Sequence, residues 1–309
     1  MTRAVVFAYN EVGVRCLATL LAQGVEVPLV VTHEDDPNEE IFFSSVRRLA
    51  ALEGIETITP AADELPQLAD RLEALAPDFL FSFYYRYLIP PALLAIPRHG
   101  ALNVHGSLLP RYRGRAPVNW AVLHGEPETG ASLHYMVEKP DAGDLVDQMA
   151  VPILPNDTAA QVFDKVVVAA ELVLHRSLPA LCAGTAPRRP LDLAAGSYFG
   201  GRTPEDGRID WRQGAWQVHN LIRAVAPPWP GAFTDLPGGR LRILGSHFRN
   251  EPARHDRPCL YVENDTMRAD CADGRRLQLL QLEWQGRPLD VAGFIEQFGS
   301  DPLDLGDAR

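Results

Sequence analysis

Through residue 182 the chain alternates short apolar runs with amphipathic stretches, and nothing else in the sequence limits the fold as strongly. Residues 5–8, 25–31, 55–58 and 78–83 read as strands, and residues 12–23, 44–53 and 65–75 as helices. In the first helix Val14, Cys16, Leu17, Leu20 and Leu21 recur at the helical period. Strands that alternate with helices imply βαβ units and a largely parallel, twisted sheet, an α/β architecture. A strand at residues 100–104, a helix at 116–123 with Pro117 in its first turn, strands at 129–137 and 147–153 and a long helix at 158–182 complete the module. The first strand is followed by Ala8-Tyr-Asn-Glu-Val-Gly13, which lacks the glycines that let a backbone approach a pyrophosphate. A dinucleotide-dependent dehydrogenase is therefore not expected.

Residues 184–207 are rich in Gly, Pro and Arg and read as a linker. Beyond them come a helix at 215–225 and short strands near 241–244, 260–262 and 277–282, a small and mostly β module. The 46% hydrophobic and 22% charged content suits a soluble globular protein. No apolar run reaches the roughly 18–20 residues a spanning helix needs, and the N-terminal one is too short for a signal peptide. Cys16, Cys182, Cys259 and Cys271 lie far apart, with no metal-type spacing. Reduced thiols, no metal, no membrane insertion and a cytoplasmic location are expected. A net charge of −11 disfavours general nucleic-acid binding.

The run Gly100-Ala-Leu-Asn103-Val-His105 leads directly into Gly-Ser-Leu-Leu-Pro-Arg-Tyr-Arg-Gly-Arg-Ala-Pro117. Two residues apart on a strand, Asn103 and His105 share one face of the pleat. The Gly, Pro and Arg residues form a loop at the strand's carboxyl end, the rim where open α/β sheets bind ligands. An amide there can hold a developing oxyanion, and an imidazole can take a proton from a nucleophile.

The pattern Asn-x-His-x-Ser-Leu-Leu-Pro-x-x-Arg-Gly, with Asp141 36 residues beyond His105, resembles the 10-formyltetrahydrofolate-dependent formyltransferases. That resemblance implies a Rossmann-like formyltransferase domain at 1–190, a linker at 191–207 and a barrel-like C-terminal domain at 208–309. It implies 10-formyltetrahydrofolate as co-substrate, with Asn103, His105 and Asp141 as catalytic residues. His105 would be the base, Asn103 the oxyanion donor, and Asp141 the group that orients His105 and stabilises its imidazolium. Tyr87, Leu88 and Ile89 match the family's pterin site, and Arg115, Val137, Glu138, Lys139, Pro140 and Asp141 its further folate positions. His124 and His134 are read as meeting local hydrogen-bond needs.

Residues 81–86, 107–120, 199–206 and 218–233 resemble the branch that formylates UDP-4-amino-4-deoxy-L-arabinose in lipid A modification. Arg202 and Arg223 are then candidates for the diphosphate of a nucleotide sugar, and Trp229 for its base or sugar. Homo-oligomerisation is left open. The alternatives are a methionyl-tRNA formyltransferase, a formyl-folate hydrolase and a catalytically silent folate-binding module. From residue 200 onward there are 14 Arg and no Lys against 16 Asp plus Glu, which disfavours an RNA-docking surface.

Overall fold

A computed structural model describes residues 1–37 and 41–306. The chain divides into two units that interleave along the sequence. The first gathers Met1–Pro117, Thr129–Val151 and Asp164–Gly200; the second gathers Val118–Glu128, Pro152–Phe163 and Gly201–Arg309.

The first unit is built on β1 (Arg3–Ala8), α1 (Asn10–Ala22), β2 (Glu26–Val31), α2 (Val46–Leu52), β3 (Glu56–Ile58), α3 (Ala69–Leu75), β4 (Phe79–Phe83), α4 (Pro91–Leu94) and β5 (Ala101–His105). β6 (Arg113–Gly114), β7 (Glu128–Tyr135), β8 (Leu145–Pro152), α6 (Ala159–Cys182) and β9 (Tyr198–Phe199) follow; α5 (Pro117–Leu123) falls in the second unit from Val118 on. The seven-stranded sheet has the order β3-β2-β1-β4-β5-β7-β8. β3, β2, β1, β4 and β5 are parallel to their neighbours, and β7 runs antiparallel to β5.

The inner strands are apolar on both faces because both faces are covered, as parallel sheets require. Phe79, Leu80, Phe81 and Phe83 of β4 are all buried, as are Val5, Val6 and Phe7 of β1. Each such side chain contributes about 1.5–3 kcal/mol relative to exposure. α1 buries Val12, Cys16, Leu17 and Leu20 at helical spacing. The helix expected at 65–75 is α3 preceded by a 3₁₀ segment, Ala62–Leu68, that contains Pro66. Proline has no N–H to give an α-helical bond, so the tighter winding precedes α3.

The second unit holds α7 (Ala215–Ala224), β10 (Ala232–Leu236), β11 (Gly239–Pro252), β12 (Cys259–Glu263), β13 (Thr266–Asp270), β14 (Arg275–Trp284), β15 (Arg287–Pro288), α8 (Val291–Phe298) and β16 (Leu303–Asp304). Its antiparallel sheet, in the order β10-β11-β14-β13-β12-β16, is a half-barrel. Trp211, Val218, Ile222, Leu241, Leu260, Leu277 and Phe294 pack inside it. The strands are longer and more numerous than the sequence suggests. β11 spans 14 residues, but its register with β14 shifts around Gly245 and again between Phe248 and Glu251. Those bulges bend the strand and break the two-residue alternation by which a strand is read. Among the described residues, no helix is long and apolar enough to cross a membrane.

Candidate active site

The site forms where β5 and β7 lie side by side in the first unit. Their register sets Asn103 opposite His134 and His105 opposite Ser132. Opposed residues in an antiparallel pair share a face, so Asn103 and His134 meet, with Nδ2 3.1 Å from Nε2. His134 Nδ1 lies 2.8 Å from the Tyr135 carbonyl, which can only accept. Nδ1 therefore carries the proton, and Nε2 accepts one N–H of Asn103. Burial pushes His134 down to about 4, against the pull of Asp141, so this ring is neutral near pH 7. The amide of Asn103 is thereby aimed, with its second N–H left over.

His105 Nε2 donates to the Tyr112 carbonyl over 2.8 Å. Its Nδ1 then bears the lone pair, and it faces Asp141 Oδ1 at 3.6 Å. Two lone pairs repel, which accounts for a gap longer than a hydrogen bond. A proton taken up at Nδ1 turns that repulsion into a charge-assisted bond.

Asp141 receives the N–H of Gly114 at Oδ2 over 2.9 Å. Burial alone would raise its carboxyl, but His105, His134, the Gly114 N–H and the charge of Arg113 outweigh it. Together they hold the group below the usual carboxylate range. The residue sits at φ +52°, a left-handed conformation that favours glycine. Tyr84 and Tyr112 share that region at φ +56° each. Such conformations persist only where the surroundings hold them, and they gather at functional loops.

The loop after β5 is tied at both ends. Ser107 Oγ donates to the Arg111 carbonyl over 2.7 Å, and Ser132 Oγ donates to the Ser107 carbonyl over 2.6 Å. The Tyr112 N–H reaches Ser197 Oγ at 2.8 Å, and β6 pairs in parallel with β9. At Gly114, φ +96°, a Cβ would collide with the Phe199 carbonyl, so only glycine brings this N–H to Asp141.

One residue of the site, His134, is not marked by the sequence pattern. It meets local hydrogen bonds as expected, yet those bonds also orient Asn103 and place its Nε2 3.7 Å from Asp141 Oδ1. Arg113, the arginine of the pattern, is only 7% exposed, and among the described residues neither its Nε nor its Nη1 has an acceptor. A buried cation is costly, and this one acts on Asp141 through its charge.

The expected folate positions lie in the same unit. Tyr87, Leu88 and Ile89 follow the carboxyl end of β4, next to β5. Among the described residues, their backbone N–H and C=O groups have no hydrogen-bond partner. Arg115, Val137, Glu138 and Lys139 are exposed, and Pro140 is half-buried beside Asp141.

The proposed sugar-nucleotide residues belong to the second unit, and Arg223 needs correction. It is 2% exposed, with Nε on Asn220 Oδ1 at 2.9 Å and Nη1 on the Asp157 carbonyl at 2.9 Å. Longer bonds reach the carbonyls of Leu154 and Val122. Its fork joins segments of its own unit and offers no free edge to a diphosphate. Trp229 packs against the second unit's apolar core. Arg202 lies over Trp120, 4.7 Å from the ring centroid, and its Nε has no acceptor.

Residues 7–178 match the formyl transferase family, and residues 202–299 match the formyl transferase C-terminal domain. The chain belongs to the formyl transferase family and is an enzyme of formyl transfer. Solved structures share its fold. One is the N-formyltransferase from Helicobacter canadensis in complex with folinic acid and dTDP-3-aminofucose. It is 20% identical, with a TM-score of 0.74 over 90% of this chain and 99% of that one. A second is WlaRD, a sugar 3N-formyl transferase solved with dTDP and 5-N-formyl-THF; it is 18% identical, with a TM-score of 0.72 over 93% and 99%. A 4-N formyltransferase from Francisella tularensis is 19% identical, with a TM-score of 0.63 over 77% and 95%.

Proposed function

We propose that this enzyme transfers the formyl group of 10-formyltetrahydrofolate to the amine of a nucleotide-linked 4-amino sugar, UDP-4-amino-4-deoxy-L-arabinose. What supports the catalytic part is that His105 Nδ1 faces Asp141 Oδ1 at 3.6 Å, while His134, which holds the Asn103 amide, lies 3.7 Å from the same oxygen. The co-substrate supplies a one-carbon acyl group on nitrogen, and the unpaired backbone of Tyr87, Leu88 and Ile89 would hold its pterin. Arg115 and residues 137–140 would complete that contact.

His105 takes the proton of the attacking amine at Nδ1 as the new carbon–nitrogen bond forms. Asn103 gives its second N–H to the oxygen that becomes anionic, a contribution of typically 10²–10³ in rate. Asp141 pairs with the imidazolium for as long as the charge lasts. His105 then returns the proton to the departing nitrogen as the old bond breaks, so atoms and charge balance.

The acceptor assignment rests on the aminoarabinose-like segments, the Lys-free acidic second unit, and a shared fold with enzymes of sugar amines. Arg202 is the cation this reading assigns to the diphosphate. Free cysteines suit the cytoplasm. The test supplies 10-formyltetrahydrofolate with UDP-4-amino-4-deoxy-L-arabinose, with a dTDP-linked 4-amino sugar, and with charged initiator tRNA in separate assays. Efficient use of the UDP sugar is expected. Formylation of the tRNA with neither sugar used would overturn the reading.

A further inference from the structure

β16, β12 and β13 are neighbours in the second sheet, and their register builds a row of polar side chains. Cys259 of β12 is paired with Asp304 of β16 on one side and with Asp270 of β13 on the other. The next residues along, Leu260 and Ala269, point into the apolar core, so Asp304, Cys259 and Asp270 share the opposite face. That face is covered at this point: Cys259 and Asp270 are both 0% exposed. His255 completes the group from the preceding loop. Ligating atoms of His255, Cys259 and Asp270 all lie within 4.8 Å of one another.

We propose that His255, Cys259 and Asp270 form a binding site for a zinc-type divalent cation. An imidazole, a thiolate and a carboxylate are the donor set of a borderline-soft metal. A tetrahedral site needs its donor atoms about 3.3–3.8 Å apart; none of these donors lies farther than 4.8 Å from another. Anchoring the loop needs only the carboxylate and the amides it accepts. It does not need a buried thiol at the paired position.

The surroundings already hold the carboxylate. Asp270 Oδ2 accepts the N–H of Arg254 at 3.0 Å and of His255 at 2.7 Å, and Oδ1 accepts the Tyr261 hydroxyl at 3.1 Å. Donors of this kind fix the orientation of a metal-bound carboxylate. One further bond, His255 Nδ1 to Asp270 Oδ2 at 2.9 Å, is the one the metal replaces. On binding, Cys259 releases its proton to solvent as the metal–sulfur bond forms. The proton on His255 Nδ1 moves to Nε2, and Nδ1 takes the metal. One proton is released per ion, with no change of oxidation state. The ion would tie the loop before β12 to the half-barrel. The sequence shows no metal pattern because the ligands come from two strands and a loop, not from one short spacing.

Cobalt(II) tests the site in the full-length protein after treatment with a chelator. The expected result is one equivalent bound, with a sulfur-to-cobalt charge-transfer band that zinc abolishes by displacement. Cys259→Ser should remove the band and weaken cobalt binding at least tenfold, while the metal-free variant melts where the metal-free wild type does. His255→Ala alters a half-exposed ring and serves if Cys259→Ser does not fold; it too should weaken binding at least tenfold. Failure to bind one equivalent, binding without a sulfur band, or a band unchanged in Cys259→Ser would overturn the proposal. The last result would assign the signal to Cys16, Cys182 or Cys271.

Discussion

Two buried arginines, one in each unit, are treated in opposite ways, and the contrast separates chemistry from architecture. Arg223 of α7 is enclosed, and its fork is engaged by Asn220 and by carbonyls from two other segments. Arg113 of β6 is almost as enclosed, yet its Nε and Nη1 meet no acceptor. The same division runs through the histidines. His219 in the second unit has both nitrogens satisfied, by Ser246 and the Pro155 carbonyl. His105 keeps one nitrogen facing a carboxylate across 3.6 Å. Saturated polar groups hold a fold together; incompletely satisfied ones next to each other store the capacity to accept a proton or steady a charge.

The largest effects should fall where satisfaction is least complete. His105→Ala and Asn103→Ala should each lower kcat by at least about 10², because both act where charge develops. Folate affinity, measured by direct titration, should stay within a few-fold of wild type. Near-native turnover in either variant would remove the catalytic role from these residues.

Arg113→Met should lower kcat by about tenfold, the effect of roughly 1.4 kcal/mol of lost charge stabilisation around Asp141. Arg113→Lys should recover most of it, because the charge returns without the fork. If Lys and Met were equally slow, shape and not charge would be what Arg113 contributes.

Asp141→Asn keeps the shape and removes the charge that favours the imidazolium. The acid limb of the pH–rate profile should therefore move to lower pH. Stability gives a second, smaller readout. Because the carboxyl is held below its ordinary value in the fold, the stability it contributes is complete above about pH 5. It is lost as the pH falls through the folded value. The melting temperatures of wild type and Asp141→Asn should converge as the pH falls below about 4. A constant gap over that range would contradict the assignment.

Much of the first unit was legible because its signals are local. Parity along β5 puts Asn103 and His105 on one face, and the Pro140–Asp141 turn follows at a readable spacing. His134 was less legible. Its partnership with Asn103 depends on the register between β5 and β7, a pairing 31 residues apart that no local period encodes. Arg113 stands in the quoted pattern, but its burial and its charge on Asp141 are properties of the packed interior that the pattern does not carry. Arg223 misled because an arginine near a Pro-rich segment looks the same whether it faces a ligand or three carbonyls. In the second unit the bulges in β11 hid most of a 14-residue strand.

The incomplete polar groups around Asp141 do the chemistry, while completed ones such as those at Arg223 hold the fold. This division is tested most directly by measuring kcat and Tm together for Arg113→Met and Arg223→Met. Arg113→Met should lose activity about tenfold with a smaller Tm loss than Arg223→Met, since among the described residues two of the three Arg113 side-chain nitrogens make no hydrogen bond while its charge offsets that of Asp141. Arg223→Met should leave carbonyls without a donor and cost about 2–4 kcal/mol of stability, with kcat per folded molecule near wild type. The reverse pattern, or equal losses of both quantities in both variants, would contradict the account.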